Sequence, residues 1–347
     1  MDQSNRPNRI GRLRAGPLAL WRDVFIVLFL SVAALSLARN FLVPLAFAIL
    51  IFTLLTAMTE RLSRLRVLGG EIPYWLASIL SLTVVGSVIY GSAAILVSQA
   101  RDVAEAMPRY EERIGTLLND MGMVLGQQIA EEIRQAIDSL NLAQMATRAA
   151  GTAGAVLLGT LIVLVYLVFM SVDRAALRKR LPLAATDPET GAGLMRLIAD
   201  TSSSLQRYIG VKTFVSALTG LATYAIIKPL GLDFAETWGF LAFALNFIPS
   251  IGSFLGVIMP AVIAIVQFET VTPFLIVVIC CGGAQFLIGN ILDPMLMGRS
   301  LNLSPLVVFL ALMAWATLWG PAGAFLGVPI TVCLLIVFSH IPGTRWL

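Results

Sequence analysis

The chain of 347 residues is 58% apolar and only 13% charged, against about 25% charged in an ordinary soluble domain. With a mean hydropathy of +0.87, too few ionic groups exist to clothe a water-facing surface, which excludes a soluble enzyme or a disordered scaffold and indicates an integral membrane protein. The net charge of +4, from 24 Lys+Arg against 20 Asp+Glu, bears on topology, and no interleaved basic and aromatic stripe points to nucleic acid.

The apolar runs are continuous, not alternating with period two, so a β-barrel is excluded and an all-α polytopic fold is expected. Six full spans are read at 18–38, 41–58, 73–97, 152–172, 209–229 and 271–289. Two more apolar regions, 237–267 and 303–340, are interrupted by Gly and Pro. The first run has Arg22 in front and Ser36-Leu37-Ala38 at its end, the outline of a signal peptide. A retained first span is expected, because a long tail precedes it and more hydrophobic helices follow.

Loop charges give the orientation. Arg6, Arg9, Arg12 and Arg14 of the 1–17 tail with Arg22 close behind, Arg61, Arg64 and Arg66, and Arg174, Arg178, Lys179, Arg180, Arg196 and Arg207 mark the cytoplasmic side, placing the N-terminus there. The opposite loops are poorer, with Arg39 alone in the first and Lys228 near the end of the fifth span. The long 98–151 connection then lies outside. Leu117, Met121, Val124, Leu125, Ile129, Ile133, Ile137 and Leu140 recur in it at helical spacing, the pattern of an amphipathic helix in more than one piece. Its stripe can lie on the membrane surface or its own domain, or against a second protomer, since periodicity does not name a partner. Inside, 181–193 reads as a loop and 194–208 as an amphipathic helix feeding the fifth span.

The second half repeats itself. Gly252-Ser253-Phe254-Leu255-Gly256-Val257 returns as Gly323-Ala324-Phe325-Leu326-Gly327-Val328. Each copy follows a break, Asn246-Phe247-Ile248-Pro249-Ser250-Ile251 in one and Leu318-Trp319-Gly320-Pro321-Ala322 in the other, and each is followed by a proline, Pro260 or Pro329. The unit is a span, a turn and a broken apolar segment, used at 209–267 and again at 271–340. The pieces flanking the first break fall short of the roughly 20 residues a crossing needs. Helix–break–helix hairpins that return to their own side are therefore expected, in opposite orientations, forming an inverted repeat of the kind that places a solute site at the repeat interface. The simpler alternative is that Pro249 and Pro321 only kink full spans and the glycines only pack.

Polar residues at membrane depth are few. Asp293 follows Gln285, Gly289 and Asn290. It is read either as a cap or partner of Arg299 at the interface, or as a proton- or cation-linked carboxylate beside Asn290 and Gln285. Asn246 can pair the freed backbone or bind solute. Arg207 and Lys212 are expected to snorkel to the interface, Asp233, Glu236 and Glu269 to be solvated, and Trp238, Trp315 and Trp319 to pack or form a belt. Cys280, Cys281 and Cys333 lie in apolar runs without disulfide or metal spacing, and His340 is the single histidine, so neither a metal nor another cofactor is expected. No HExxH, GxSxG or P-loop lysine pattern occurs, so no catalytic residues are assigned.

At Asn246–Gly252, Gly289–Ser300, Leu303–Val308 and Gly320–Gly323 the chain resembles the autoinducer-2 exporter family of transporters. The likeness holds in layout over about 20–340 and motif by motif from about 207 onward. It implies a multi-pass bacterial inner-membrane protein that is homo-oligomeric, with members associated with export of the quorum-sensing signal autoinducer-2 and others with sodium or lithium/proton antiport. Many relatives carry a Glu just before the Gly-Asn pair, where this chain has Ile288; its nearby acid is Asp293. The expectation is a secondary-type transporter exporting a small polar solute, autoinducer-2 being the candidate, along a path near Asn246, Pro249, Gly252, Gln285, Asn290, Asp293, Gly320, Pro321 and Gly323. Two alternatives stand beside it, a monovalent cation/proton antiporter and a non-transporting membrane scaffold acting through the outer segment.

Overall fold

The structure is a computed structural model that describes residues 17–67, 70–140, 144, 151–180, 188–249, 251–297 and 304–340. The expected tail, most of the 181–193 loop and Arg299 lie outside the described residues. The chain forms two compact units, Met1–Leu42 and Val43–Leu347. Helix α1 (Pro17–Leu37), the expected first span, belongs to the first. The second contains most of α2 (Arg39–Ser63), a two-residue β-ladder of Arg66–Val67 with Gly70–Glu71, α3 (Tyr74–Leu125), α4 (Gln127–Leu140), α5 (Ala153–Arg180), α6 (Pro188–Ile227), α7 (Ala235–Leu245), α8 (Ile251–Gln267), α9 (Thr272–Met297), α10 (Pro305–Trp319) and α11 (Pro321–His340).

The fold is all-α and polytopic. Among the described residues, six helices are long and apolar enough to cross a membrane: Arg39–Ser63, Tyr74–Asp120, Gly154–Arg174, Gly191–Ile227, Thr272–Met297 and Pro321–Phe338. Three of them differ from the sequence reading: Pro321–Phe338 has the length of a span where part of a broken hairpin was expected, while the expected first span, in α1, is not one of the six. The third span does not stop at 97; α3 runs unbroken for 52 residues, about 80 Å at 1.5 Å per residue, against about 30 Å of hydrocarbon. The 98–151 connection therefore begins as a rigid continuation of the span, because no Gly or capping signal stops the helix where polarity changes. Likewise α6 starts at Pro188 and needs no separate amphipathic piece, with Pro at the first helical position where its missing N–H costs nothing.

The α3 extension docks on the hairpin formed by α7 and α8. Ala106 and Tyr110 pack with Val266, Phe234 and Ile263; the Tyr110 hydroxyl donates to Asp233 at 2.8 Å, and Thr237 donates to Gln99 at 3.0 Å. Asp233 is thus bonded and partly buried, where a solvated acid was expected. Beside it Lys228 donates to Glu236 at 2.5 Å, which holds the Glu236 carboxyl below its ordinary range and raises the Lys228 ammonium.

Both broken segments turn back on themselves. In the first, a Cβ on Gly252 would overlap the Leu245 carbonyl, and one on Gly256 would sit 3.8 Å from Ala242. In the second, a Cβ on Gly323 would overlap the Trp315 carbonyl, and one on Gly327 would lie 3.3 Å from the Trp315 side chain. The repeated Gly-x-x-x-Gly is thus the seam along which each trailing arm lies against its leading arm, small residues allowing backbones to approach. The Trp315 indole donates to Thr331 at 3.2 Å across the second hairpin. The arms have 11 and 17 residues in the first copy and 15 and 20 in the second, so the second trailing arm has the length of a span.

The break chemistries differ. Residues 246–249 turn through bonds from Ile248 N to Leu245 O at 2.8 Å and from Gly252 N to Ile248 O at 3.1 Å. The second break is a single residue, Gly320, at φ +65° and ψ −145°, a conformation that only glycine takes without strain. Pro321 then opens α11. Gly323→Val is expected to lower stability in detergent by about 1–3 kcal/mol through overpacking against backbone, while Gly283→Ala, whose added carbon meets nothing within 4 Å, leaves the melting temperature unchanged; thermal unfolding of the two variants side by side checks this.

Candidate functional site

The site is built on α6. Lys212, Ser216, Thr219 and Thr223 are all buried, and their spacing of four, three and four puts them on one helical face. Tyr208 extends the stripe by one turn and is 4% exposed. Thr219 satisfies its hydroxyl on the Val215 carbonyl at 2.9 Å. Facing this stripe are side chains from the two broken-helix units.

Asn246, at the first break, is 6% exposed and donates to the Ser216 hydroxyl at 3.0 Å. Ser216 lies 11 residues before the end of α6, about 17 Å along the helix. Lys212, one turn beyond Ser216, donates to Asp293 of α9 at 2.8 Å, with side-chain exposures of 8% and 17%. Lys212 therefore does not snorkel to the interface: its ammonium is held inward by a carboxylate from the following unit. The expected partner Arg299 lies outside the described residues. The other Asp293 oxygen, Oδ1, is buried with no hydrogen-bond partner among the described residues.

The second break comes to the same region. Phe247 of the first break and Phe325, five residues past Gly320, stack with ring centroids 4.4 Å apart at 26°. Phe325 also meets Phe47 of α2 at 5.3 Å. Trp319 and Met297 pack on the cluster of Tyr208, Ile209, Leu50 and Leu326, so the end of α9 and the second break both border the stripe on α6.

The other expected path residues divide. Gln285 is buried, and its Nε2 has no hydrogen-bond partner among the described residues; it faces Gly256 of α8, where an added Cβ would come within 2.7 Å of it. Asn290 is exposed and donates back to the Phe286 carbonyl at 3.2 Å. It does not share the buried face of Gln285, being exposed where Gln285 is buried. Gly252 and Gly323 are filled by the opposing arm and build the hairpins; they do not line an opening. Pro249 is half-buried and Pro321 is exposed. π-Helical turns at Val277–Cys281 and Ile288–Leu292 precede and follow Gln285, the second ending directly before Asp293. Such insertions re-aim the side chains that follow and recur at functional sites.

Sequence reasoning missed the α6 stripe. Its signal was present, since Lys212, Ser216, Thr219 and Thr223 recur at helical spacing inside an apolar span. Among the described residues, no group of three His, Cys, Asp or Glu side chains is placed to hold a metal ion.

A polytopic bundle with a buried ionic pair and two helix breaks turned toward one polar face is the framework of a membrane transporter. The chain belongs to a family of these: the description "AI-2E family transporter" matches residues 24–343. It is 30% identical over 342 residues to the AI-2 transport protein TqsA of Escherichia coli, covering 95% of this chain and 96% of that protein. A protein of Haemophilus influenzae, named as a candidate transport protein, is 28% identical over 331 residues, 92% of this chain and 91% of its own. The candidate transport protein YhhT of Escherichia coli is 27% identical over 312 residues, covering 87% and 84%. Lys212→Met, which leaves the Asp293 carboxylate buried without its counter-charge, is expected to cost about 3–5 kcal/mol. The double change Lys212→Met/Asp293→Leu is expected to recover most of that; a double-mutant cycle by unfolding in detergent measures the difference.

Proposed function

We propose that this protein is a secondary-type transporter of a bacterial inner membrane, exporting a small polar solute through the region where the two broken-helix units meet α6. The name of TqsA supplies autoinducer-2 as the candidate solute. The observation that carries the reading is the buried polar stripe of α6, with Lys212 and Ser216 engaged by Asp293 and Asn246 from two different units. Charged and amide groups are costly at this depth, on the order of 2.5–3.5 kcal/mol for a central Asp or Lys on insertion scales. A scaffold held together by apolar packing has no use for that cost, whereas a solute path requires polar groups.

In this reading 209–267 and 271–340 are inverted units, the first hairpin entering from outside and the second from the cytoplasm. The N-terminus is cytoplasmic, and alternate exposure comes from one unit moving against the other. The α7–α8 hairpin supports this sense of entry: both its ends lie by the α3 extension while its tip, at Asn246, reaches Ser216 of α6. The protein works as a homo-oligomer, a role for which the amphipathic α3–α4 segment is available.

Proteoliposomes loaded with autoinducer-2 are expected to release it faster than empty-lipid controls. Asp293→Asn and Asn246→Ala are expected to bring release to background while remaining monodisperse. Release at background from well-folded wild-type protein overturns the assignment of the solute. Undiminished release from both variants overturns the assignment of the path.

A further inference from the structure

The α7–α8 hairpin is mounted as a lever. Its α7 arm runs antiparallel along α6, with Asn246 on Ser216, Gly239 on Gly220 and Glu236 on Lys228 in succession. At the two glycines the backbones nearly touch. A Cβ on Gly220 would come within 2.6 Å of the Gly239 carbonyl oxygen, and one on Gly239 within 2.9 Å of the Tyr224 side chain. Neither glycine interposes a side chain, so the contact can act as a pivot between closely approaching helices. Gly239 lies five residues past Phe234 and seven before Asn246, about 7.5 Å and 10.5 Å along the helix. A displacement at the base of the hairpin therefore reaches the break enlarged and reversed.

The lever carries strain at its base and along its length. Phe234 ends the 228–234 connection at φ 61° and ψ 34°. Among the described residues it is the one residue other than glycine in the left-handed region, where a bulky side chain is strained. Farther along, Gly256 of the hairpin rests on Gln285 of α9, whose Nε2 is buried without a hydrogen-bond partner among the described residues. A buried donor left unpaired penalises the arrangement that leaves it so.

What holds this seat is the α3 extension. Beyond the Tyr110 bond to Asp233, the Tyr110 ring meets Phe234 edge-on, with centroids 6.3 Å apart, and Gln99 accepts from Thr237. Asp233 is tied in turn to both hairpin arms. Its N–H donates to Gln267 Oε1 at 2.8 Å, Gln267 Nε2 donates to the Gly231 carbonyl at 2.8 Å, and the Trp238 indole donates to the Asp233 carbonyl at 3.0 Å. The base thus moves as one piece, and Tyr110 grips it. An open, mainly polar recess lined by Asp102, Glu105, Arg109 and Glu236 borders the grip, so water can take the place of the phenol on Asp233 when the bond opens.

We infer that the α3 extension is a clamp on a strained hairpin: while Tyr110 holds Asp233 the tip stays seated on Ser216, and when that bond opens the hairpin rocks about Gly220–Gly239 and the tip lifts from α6. The inference deepens the transport reading, on which it rests for the use of the motion. Rocking relieves the Phe234 backbone and frees the Gln285 amide to find a partner, so the clamp opposes a movement the seated state already favours. The lifted tip uncovers the polar stripe of α6 and lets water reach the amides of the break.

Amide hydrogen exchange on the full chain in detergent reads the seat without any solute. Tyr110→Phe, which keeps the ring and removes the hydroxyl, is expected to speed exchange in 246–256 about tenfold, the worth of one hydrogen bond, and to leave 316–328 unchanged. Asp233→Asn, whose amide oxygen still accepts from Tyr110, is expected to match wild type, whereas Asp233→Ala follows Tyr110→Phe. Gln285→Met, which removes the unpaired donor at similar volume, is expected to slow exchange in 246–256. Unchanged exchange in Tyr110→Phe overturns the clamp, as does acceleration that spreads equally to 316–328 or equal exchange in Asp233→Asn and Asp233→Ala. Unchanged or faster exchange in Gln285→Met overturns the strained seat. Flux keeps the two readings apart. A clamp seen by exchange in a protein that releases no autoinducer-2 sinks only the solute assignment, whereas release with exchange indifferent to Tyr110 sinks only the clamp.

Discussion

A peptide group set free inside hydrocarbon must find a partner, since lipid offers none and each unsatisfied group costs several kcal/mol. Two helical segments of this protein are interrupted, at residues 246–249 and at Gly320, and the backbone groups around each break are paired locally. The first break spends its backbone groups on tight local bonds such as Ile248 N to Leu245 O, and Asn246 ties the turn to Ser216. The second confines the interruption to Gly320, whose left-handed conformation lets α10 end and α11 begin within one residue. Each hairpin then shields its backbone by pressing a Gly-x-x-x-Gly edge onto its own leading arm. The same glycines that look like flexibility in the sequence are sites of close contact in the fold.

The same constraint explains the ionic pair. An ammonium and a carboxylate in a low-dielectric interior are stabilised only together, and losing either partner costs more than never having had the pair. Because Lys212 lies on α6 and Asp293 at the end of α9, the pair adds a charged link between one repeated unit and the other. Apolar packing joins them as well: Val277 and Cys281 of α9 pack with Ile227, Ala261 and Ala264, and Phe247 stacks on Phe325.

How much of this could be read from residues follows from the range of each interaction. Spans, the repeated Gly-x-x-x-Gly and both breaks are properties of contiguous sequence, and all lay open to pattern. The continuity of α3 did not, because hydropathy reports where a helix leaves hydrocarbon and not where it ends; nothing between 97 and 125 breaks helix geometry except Pro108, which α3 absorbs. Asp293 was legible as an unusual acid, but its partner was not, since Lys212 is 81 residues away and a lysine near a span end reads as a snorkelling one. Asn290 misled for the opposite reason. Neighbours in sequence were taken as neighbours in space, whereas Asn290 is exposed and Gln285 is buried.

The π-helical turns of α9 complete the picture. A helix in regular geometry from Thr272 would carry Gln285, Asn290 and Asp293 at fixed angles of about 100° per residue. Each π insertion delays that rotation locally, and two of them, at Val277–Cys281 and Ile288–Leu292, change which face the last turn presents. The second insertion comes immediately before Asp293, so the carboxylate's aim at Lys212 depends on a backbone irregularity that side-chain periodicity cannot register. An insertion of this kind is held in place only while the ion pair and the packing of Met297 on the Tyr208 cluster outweigh its poorer hydrogen bonding. The charge on α6 and the irregular backbone of α9 therefore belong to one arrangement, since the π turn sets the aim of the carboxylate that meets Lys212.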